Sequence, residues 1–276
     1  MANLDAYVEA IAHHCSKNEL DQAVALLEKD IIPKHPRAWA PIIESYKGNC
    51  SKFTMILAVV GGLRASQIAG DDAAQTQVIE LFELMVAKAK PNALREPGWA
   101  GFRSLMHGYL SIARQRRSFR HAMGVLRTAI SVFQPMPDHL TPFHAAYVQL
   151  CLLSENPRAA LPLLEVPVFE VDPATTGSKA VDFMAYFYYG GVVFTALRDI
   201  PRARVWFRNV LAAPAAALSQ CMLLAFKCLT LLNVVAEPKP IVLPPHLEHR
   251  IERSLRALAK PYTDLATALE SRDDAA

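Results

Sequence analysis

The side chains best suited to metal chemistry are two close histidine pairs, His13-His14 and His246-x-x-His249. Two histidines three residues apart on a helix project from one face and could ligate a zinc ion. No third ligand is evident near either pair, and the H-E-x-x-H pattern of zinc proteases is missing. We therefore interpret His246 and His249 as the solvated start of a helix, and we predict neither a metal nor another cofactor.

The usual motifs for phosphate binding and nucleophilic catalysis are also missing. The chain contains no G-x-G-x-x-G, no G-x-x-x-x-G-K-[ST] and no G-x-S-x-G. Its adjacent glycine pairs, Gly61-Gly62 and Gly190-Gly191, lie inside apolar patterns. Glycine there lets a neighbouring helix approach closely, which we favour over phosphate binding. The sequence thus predicts a protein that is not an enzyme and has no small-molecule substrate.

The densest charge is a cluster of arginines that we single out as a candidate partner-binding site: Arg114, Arg116, Arg117 and Arg120. Such a cluster could contact an acidic protein surface or a phosphate backbone. Phe119 is the one aromatic residue among these arginines, whereas single-stranded nucleic acid is usually held by several stacking aromatics. The alternative is a solvated turn between two helices. We favour the solvated turn and keep partner binding open.

Composition narrows the class of protein. The 276 residues are 52% hydrophobic, enough to bury a substantial core, and a net charge of +3 is too small to indicate nucleic acid. Five cysteines without C-x-x-C spacing fit reduced thiols in a cytoplasmic and nuclear protein. Residues 209–226 carry no charge, but Pro214 and the polar Ser219 and Gln220 interrupt them. We predict a buried helix there and no membrane span.

Apolar residues recur at helical spacing along most of the chain, which predicts an all-α fold. Turn residues divide the helices into pairs. One connector, residues 166–178, contains a β-like run at 168–171 that we expect to be an extended loop, because no second strand is predicted to pair with it. The predicted helices that bear on the structure below are residues 74–88, 99–115, 118–133, 140–153, 157–164, 215–235, 247–258 and 262–269.

A repeat is visible in the second helix of each pair. An alanine followed four residues later by a large apolar residue recurs at Ala23/Leu27, Ala122/Leu126, Ala160/Leu164 and Ala203/Phe207, with Val78/Phe82 as a looser copy. Spacings of 38 and 43 residues between the last three alanines are typical of helical-hairpin repeats. One hairpin cannot bury its apolar face alone, so hairpins stack. We predict a right-handed α-solenoid of TPR-like (tetratricopeptide-like) helical hairpins.

The hairpin at residues 182–214 is the most distinctive one. Five aromatic residues precede or abut Gly190-Gly191, and a second helix follows the turn before Pro201. Because glycine costs about 1 kcal/mol relative to alanine inside a helix, we expect both glycines to lie where the second helix approaches closely, with the small Ala203 as their partner. The aromatic side chains could suggest a ligand cage, but they point all round the helix, so we favour core packing.

Prolines suggest the domain organisation. Residues 237–246 hold four prolines, which preclude a continuous helix and predict a proline-rich hinge. We assign residues 1–236 to a TPR-like helical-repeat array. Residues 247–276 are then C-terminal helices.

Three segments of the chain have a distinctive order of packing residues. They are Leu140-Thr141-Pro142-Phe143-His144-Ala145 with its continuation to Pro162, then Tyr186-Phe187-Tyr188-Tyr189-Gly190-Gly191 with Arg202-Ala203-Arg204-Val205-Trp206-Phe207, and Lys260-Pro261-Tyr262 through Leu269. These segments resemble a known family, the third subunit of the COP9 signalosome. The resemblance covers roughly residues 140–269 and is weaker towards the N-terminus. It consists of packing patterns and contains no chemical motif.

The resemblance implies a non-catalytic scaffold subunit. Its partners would be other COP9 signalosome subunits and, indirectly, the cullin-RING ubiquitin ligases from which that assembly removes a ubiquitin-like modifier. The chain lacks the H-x-H pair that the metalloprotease subunit needs. Members of the family continue into a PCI domain, for which no room remains after Leu269, so we expect a fragment or a truncated form.

Two other functions remain open on the residues alone. A free-standing helical-repeat adaptor, unrelated to the signalosome, could bind peptides or acidic protein segments along its groove. A nucleic-acid-binding helical repeat is the weaker alternative, because it rests on the arginine cluster only. The proteins that co-purify with the chain distinguish the adaptor from the signalosome scaffold. A steep salt dependence of RNA or DNA affinity would support the nucleic-acid-binding repeat.

Overall fold

The computed structural model describes residue 13 and residues 72–88, 98–236, 241, 243–245 and 247–273. The chain divides into two compact units, Met1–Pro135 and Met136–Ala276. In the described residues both units are built from helices, and the one β-type contact is an isolated bridge between His139 and Glu170. The predicted all-α fold is confirmed for this part of the chain.

Three helices are described in the first unit: α1 (Asp72–Lys88), α2 (Gly98–Gln115) and α3 (Phe119–Phe133). Aromatic rings fill the space between them. Phe82 of α1 stacks on Tyr109 of α2 with ring centroids 4.5 Å apart, and Phe102 lies 5.0 Å from Phe133 of α3. All four side chains are buried, so this aromatic cluster forms the core that holds α1 to the α2–α3 pair.

The second unit is organised around its longest hairpin. The elements described there are α4 (Pro142–Leu153), a 3-10 turn (Pro157–Ala160) leading into α5 (Leu161–Leu164), α6 (Pro173–Thr176), α7 (Ala180–Ala196), α8 (Ile200–Ala212), α9 (Gln220–Ala236), α10 (His249–Leu258) and α11 (Lys260–Asp273). Helix α7 packs against α4 and α8, while α9 packs against α8 and α11. The successive helices α7, α8 and α9 are therefore neighbours, as expected of helical repeats.

Three hairpins share one turn geometry, although none has glycine at the critical position. The first helix of each hairpin ends in a Schellman motif, in which the residue after the C-cap has positive φ and is usually glycine. Here the positive-φ residues are Arg117 (50°), Glu155 (56°) and Arg198 (60°). In each case the following N–H donates to the carbonyl five residues back, from Ser118 to Ala113 (3.0 Å), from Asn156 to Cys151 (3.0 Å) and from Asp199 to Phe194 (2.8 Å).

The same three turns start the second helix of each hairpin. Ser118 and Asp199 are the N-cap residues of α3 and α8, and Asn156 is the N-cap of the 3-10 turn that leads into α5; all three are types that favour this position. Four residues later come Ala122, Ala160 and Ala203, each with no solvent exposure. The large apolar residues of the predicted repeat, and the pair Val78/Phe82, are buried as well, whereas Ala23/Leu27 lies outside the described residues. The repeat thus extends from the turn into the core.

The glycines of the central hairpin do allow a close approach, but their neighbours differ from the prediction. A Cβ on Gly190 would overlap the Trp206 ring, and one on Gly191 would lie 2.7 Å from Phe207 Cε1. The expected partner, Ala203, is not among the nearest atoms. In an antiparallel hairpin, residues equally far from the turn lie side by side, which places Gly190 and Gly191 level with Trp206 and Phe207. Ala203 is too close to the turn to reach them.

The connector between α5 and α7 is more ordered than predicted. No strand forms at residues 168–171, as expected of an extended loop, but the expectation that nothing pairs with this run is wrong, because Phe169 N–H donates to Asp138 O (3.0 Å), and Leu140 N–H donates to Glu170 O (2.9 Å). The pairing segment is the stretch just before α4, which has no strand pattern of its own. The short α6 is a further element that was not predicted, and Asp172 caps it by accepting from Ala174 N–H (2.9 Å).

The apolar stretch 209–226 is not one helix. Its start belongs to the end of α8 and its last part to α9, with a break over 213–219 around Pro214. No helix in the described part of the chain is long and apolar enough to cross a membrane. The proposed hinge at 237–246 lies mostly outside the described residues, so the predicted domain boundaries on either side of it stay predictions.

Candidate partner-binding site

The four arginines predicted to bind a partner lie together at the α2–α3 turn. Arg114 lies in the last turn of α2, Arg116 and Arg117 form the connection, and Arg120 lies in the first turn of α3. All four are exposed. The turn is held by backbone hydrogen bonds from Arg116 N–H to Ile112 O (2.9 Å) and from Arg117 N–H to Arg114 O (3.3 Å). A hydrogen-bonded turn therefore presents the charges, and partner binding at this turn stays a prediction.

Two of these arginines also have contacts within the first unit. The Arg116 guanidinium forms an ion pair with Asp72 at the start of α1, and Arg114 Nε donates to Leu110 O (3.2 Å). Nearby, His121 Nε2 lies 2.7 Å from Glu83 Oε1. Exposed pairs of this kind typically contribute about 0–1 kcal/mol. These contacts orient the side chains of Arg116 and Arg114 and add little to the stability of the unit.

The candidate metal pair finds no support in the described residues. The His249 side chain is fully exposed, and its Nδ1 lies 3.7 Å from Glu252 Oε2. His246 and His14 lie outside the described residues. Where the structure describes the chain, no group of three His, Cys, Asp or Glu side chains could hold a metal ion. The geometry of His249 agrees with the solvated helix start favoured from the sequence.

The aromatic run of α7 forms a packed cluster. Tyr186 is buried, with its ring centroid 5.3 Å from that of Trp206 and its hydroxyl 3.4 Å from Leu163 O, to which it donates. Phe187 is also buried, with its ring centroid 4.9 Å from that of Trp206. The aromatic side chains bind α7 to its neighbours, as the favoured interpretation predicted.

A buried polar cluster at the start of α4 was not predicted. His144 is fully buried, and its Nδ1 accepts hydrogen bonds from Thr141 N–H (3.1 Å) and the Thr141 hydroxyl (2.8 Å). A nitrogen that accepts carries no proton, so the ring is the neutral Nε2–H tautomer. Burial lowers the pKa of His144 to about 4. The Thr-x-x-His spacing, a variant of the capping box, was the available signal.

This cluster ties the connector to α4 and offers no nucleophile. Ser178 Oγ donates to Leu140 O (2.6 Å), and Thr176 Oγ1 lies 3.0 Å from Ser178 Oγ. A serine that donates its proton to a carbonyl has no base to activate it. The buried polar groups of this cluster therefore position helix ends.

Comparison with known proteins agrees with this helical, packing-dominated chain. A family model described as the N-terminal helical repeats of COP9 signalosome complex subunit 3 matches residues 19–249. The COP9 signalosome complex subunit 3 of Dictyostelium discoideum is 31% identical over 151 residues, which are 54% of this chain and 36% of that protein. The subunit 3 of Drosophila melanogaster is 26% identical over 204 residues, 68% of this chain and 45% of the relative.

Each of these two matches spans less than half of the relative's own length. The family model, in contrast, covers most of this chain, including the described hairpins α2–α3, α4–α5 and α7–α8. The resemblance noted from the residues is thereby confirmed up to residue 249 and extends further towards the N-terminus than residue 140, whereas the segment from Lys260 to Leu269 lies beyond the match. The chain belongs to the family of COP9 signalosome complex subunit 3, through its N-terminal helical repeats.

Proposed function

We propose that this chain is a non-catalytic scaffold part of the COP9 signalosome, which supports removal of a ubiquitin-like modifier from cullin-RING ubiquitin ligases through protein–protein interactions. The observation that carries the proposal is the family match over residues 19–249. The named relatives are subunits of that complex. Other signalosome subunits are then the direct partners, and cullin-RING ligases are reached through them.

The roles that side chains have in the described helices support a scaffold function. Large aromatic residues hold helices together, and buried polar residues such as His144, Ser178 and Asp182 satisfy helix ends. A repeat protein of this kind offers long surfaces for partners. We further propose that residues 1–236 form a right-handed TPR-like array, followed by a hinge at 237–246 and the C-terminal helices, in a protein of the cytoplasm and nucleus.

Affinity purification of the tagged chain from cells, followed by mass spectrometry, tests the proposal. We expect signalosome subunits to co-purify in near-equal amounts and to migrate with the chain in gel filtration. An unrelated helical-repeat protein with the same tag serves as the control. Recovery of other proteins without signalosome subunits would contradict the proposal and favour a free-standing adaptor for peptides or acidic segments.

A further inference from the structure

Positive charge is concentrated in the α2–α3 pair. Between residues 97 and 137 the sequence has six arginines and no aspartate or glutamate, although the whole chain has a net charge of only +3. Arg103 is buried, and the other five arginines, which include Arg127 of α3, are exposed. A charge asymmetry of this size within one hairpin indicates a surface for a negatively charged partner.

The outer face of α3 carries two of these arginines in helical register. Arg120, Gly124 and Arg127 are spaced by four and three residues, so they line one side of the helix. All three are exposed, as is Thr128 beside them. A negative side chain that reaches α3 from α1, Glu83, contacts His121 at 2.7 Å. The two arginines thus flank a glycine on an exposed helix face.

Gly124 has no packing reason to be a glycine. Among the described residues, a Cβ built on it would meet nothing within 4 Å, whereas a Cβ on Gly190 or Gly191 would overlap an aromatic ring. Glycine in the middle of a helix is less favourable than alanine. Since the fold itself would accept a side chain here, the bare helix turn between Arg120 and Arg127 leaves room for the close approach of another molecule.

We propose that the outer face of α3, defined by Arg120, Gly124 and Arg127, is the docking surface for an acidic segment of a partner protein. A run of Asp and Glu would place carboxylates on the two guanidinium groups while its main chain crosses the helix at Gly124. The aromatic residues of α3, Phe119 and Phe133, are partly or fully buried, so the face offers no stacking platform for nucleic-acid bases. Arg117 lies at one end of the surface.

The inference rests on the proposed scaffold function, and its test uses the purified chain alone, so the two can fail separately. The probe is a fluorescein-labelled peptide of about ten glutamates, followed by fluorescence anisotropy at low salt. Arg120→Glu with Arg127→Glu should weaken binding about tenfold. The control, Arg250→Glu with Arg253→Glu on α10, changes the net charge equally and should alter the affinity less than about twofold.

A second variant separates docking from general charge attraction. Gly124→Gln keeps the net charge and suits a helix, so we expect a raised urea midpoint together with binding weakened about fivefold or more. Thr267→Gln, at an exposed position of α11, should leave binding unchanged. Equal losses for both charge-reversal pairs, or wild-type affinity for Gly124→Gln, would overturn the proposal. So would tighter binding of a uridine oligonucleotide with the same dependence on Arg120 and Arg127.

Discussion

Gly191 lies against the ring of Phe207, so close that a methyl group on it would sit 2.7 Å from Cε1. Phe207 is itself buried, in an interior that is close-packed. The contact joins the middle of α7 to the middle of α8. It follows that the glycine is required by the aromatic ring of the facing helix.

We therefore expect Gly191→Ala to destabilise the chain by about 1–3 kcal/mol, because overpacking outweighs the gain in helix propensity of up to about 1 kcal/mol. Gly124→Ala is the matched control. The same substitution on the exposed face of α3, where the added Cβ meets nothing, should stabilise by up to about 1 kcal/mol. Urea unfolding followed by circular dichroism measures both. Similar changes in the two variants would show that the close contact is not maintained in solution.

At the three hairpin turns we expect the opposite effect on stability, because glycine is the favoured residue there. Arg198 has a φ of 60°, a conformation that costs a non-glycine residue about 1–2 kcal/mol. Arg198→Gly removes that cost but makes the unfolded chain more flexible, so we expect a net gain of about 0.5–1 kcal/mol. Arg208→Gly, at an exposed position inside α8, should instead lose about 1 kcal/mol. Loss of stability in both variants would contradict the Schellman geometry.

The buried His144 predicts how stability depends on pH. Burial lowers its folded pKa to about 4, while the unfolded pKa is near 6.5. Below pH 6.5 the unfolded chain takes up the proton first. The stability contributed by neutral His144 is thus complete above about pH 6.5 and declines as the pH falls towards 4, by about 3 kcal/mol in total.

Urea unfolding between pH 7.5 and 4.5 measures this dependence. His144→Gln, whose amide oxygen can still accept from Thr141 N–H, should lower stability at pH 7.5 and flatten the decline. The control, His249→Gln, alters a fully exposed side chain and should keep the wild-type dependence. If His144→Gln leaves the slope unchanged, the histidine is not buried in its neutral form.

The absence of catalytic motifs predicts the outcome of an activity assay. The purified chain should not cleave a neddylated cullin, with or without added zinc, because the sequence contains neither H-E-x-x-H nor H-x-H. Gel analysis of the cullin over several hours measures cleavage, with the intact signalosome as the positive control. Cleavage that disappears in His246→Ala would refute the prediction and identify the histidine pair as a site.

The sequence predicted the helices well because helical periodicity and turn residues are local signals. Helices α2 and α3 begin within one residue of the predicted positions, and both end where predicted. The alanine repeat was visible because Ala122, Ala160 and Ala203 fill the same buried position. The N-cap four residues before each alanine is equally regular, but its residue type changes from Ser to Asn to Asp, which hides the pattern.

The features that sequence patterns could not predict depend on contacts between distant residues. The segment that pairs with residues 168–171 has no strand pattern. The sequence around His139 therefore does not indicate its β-bridge to Glu170. To predict the neighbour of Gly191, one must know which residues of α7 and α8 lie side by side. Only the position of the turn between the two helices fixes this alignment. The sequence shows the arginine cluster by its charges, but the open space at Gly124 is visible only in the structure.

Substitution of the buried alanine that the hairpins share tests the repeat itself. Ala203 is fully buried four residues after the N-cap Asp199, and Ala122 occupies the same position after Ser118. If the hairpins are equivalent, Ala203→Leu and Ala122→Leu should both overpack the core and each cost about 1–3 kcal/mol.

Val205 is the matched control, because this residue is 53% exposed on the same helix as Ala203. Val205→Leu should change the free energy of unfolding by no more than about 0.5 kcal/mol. The measurement is urea unfolding of the whole chain, with helical circular dichroism as the signal. Should Ala203→Leu be tolerated as well as Val205→Leu, the buried alanine position would not be a packing constraint. Should only one alanine be sensitive, the hairpins would share a turn geometry without sharing a core.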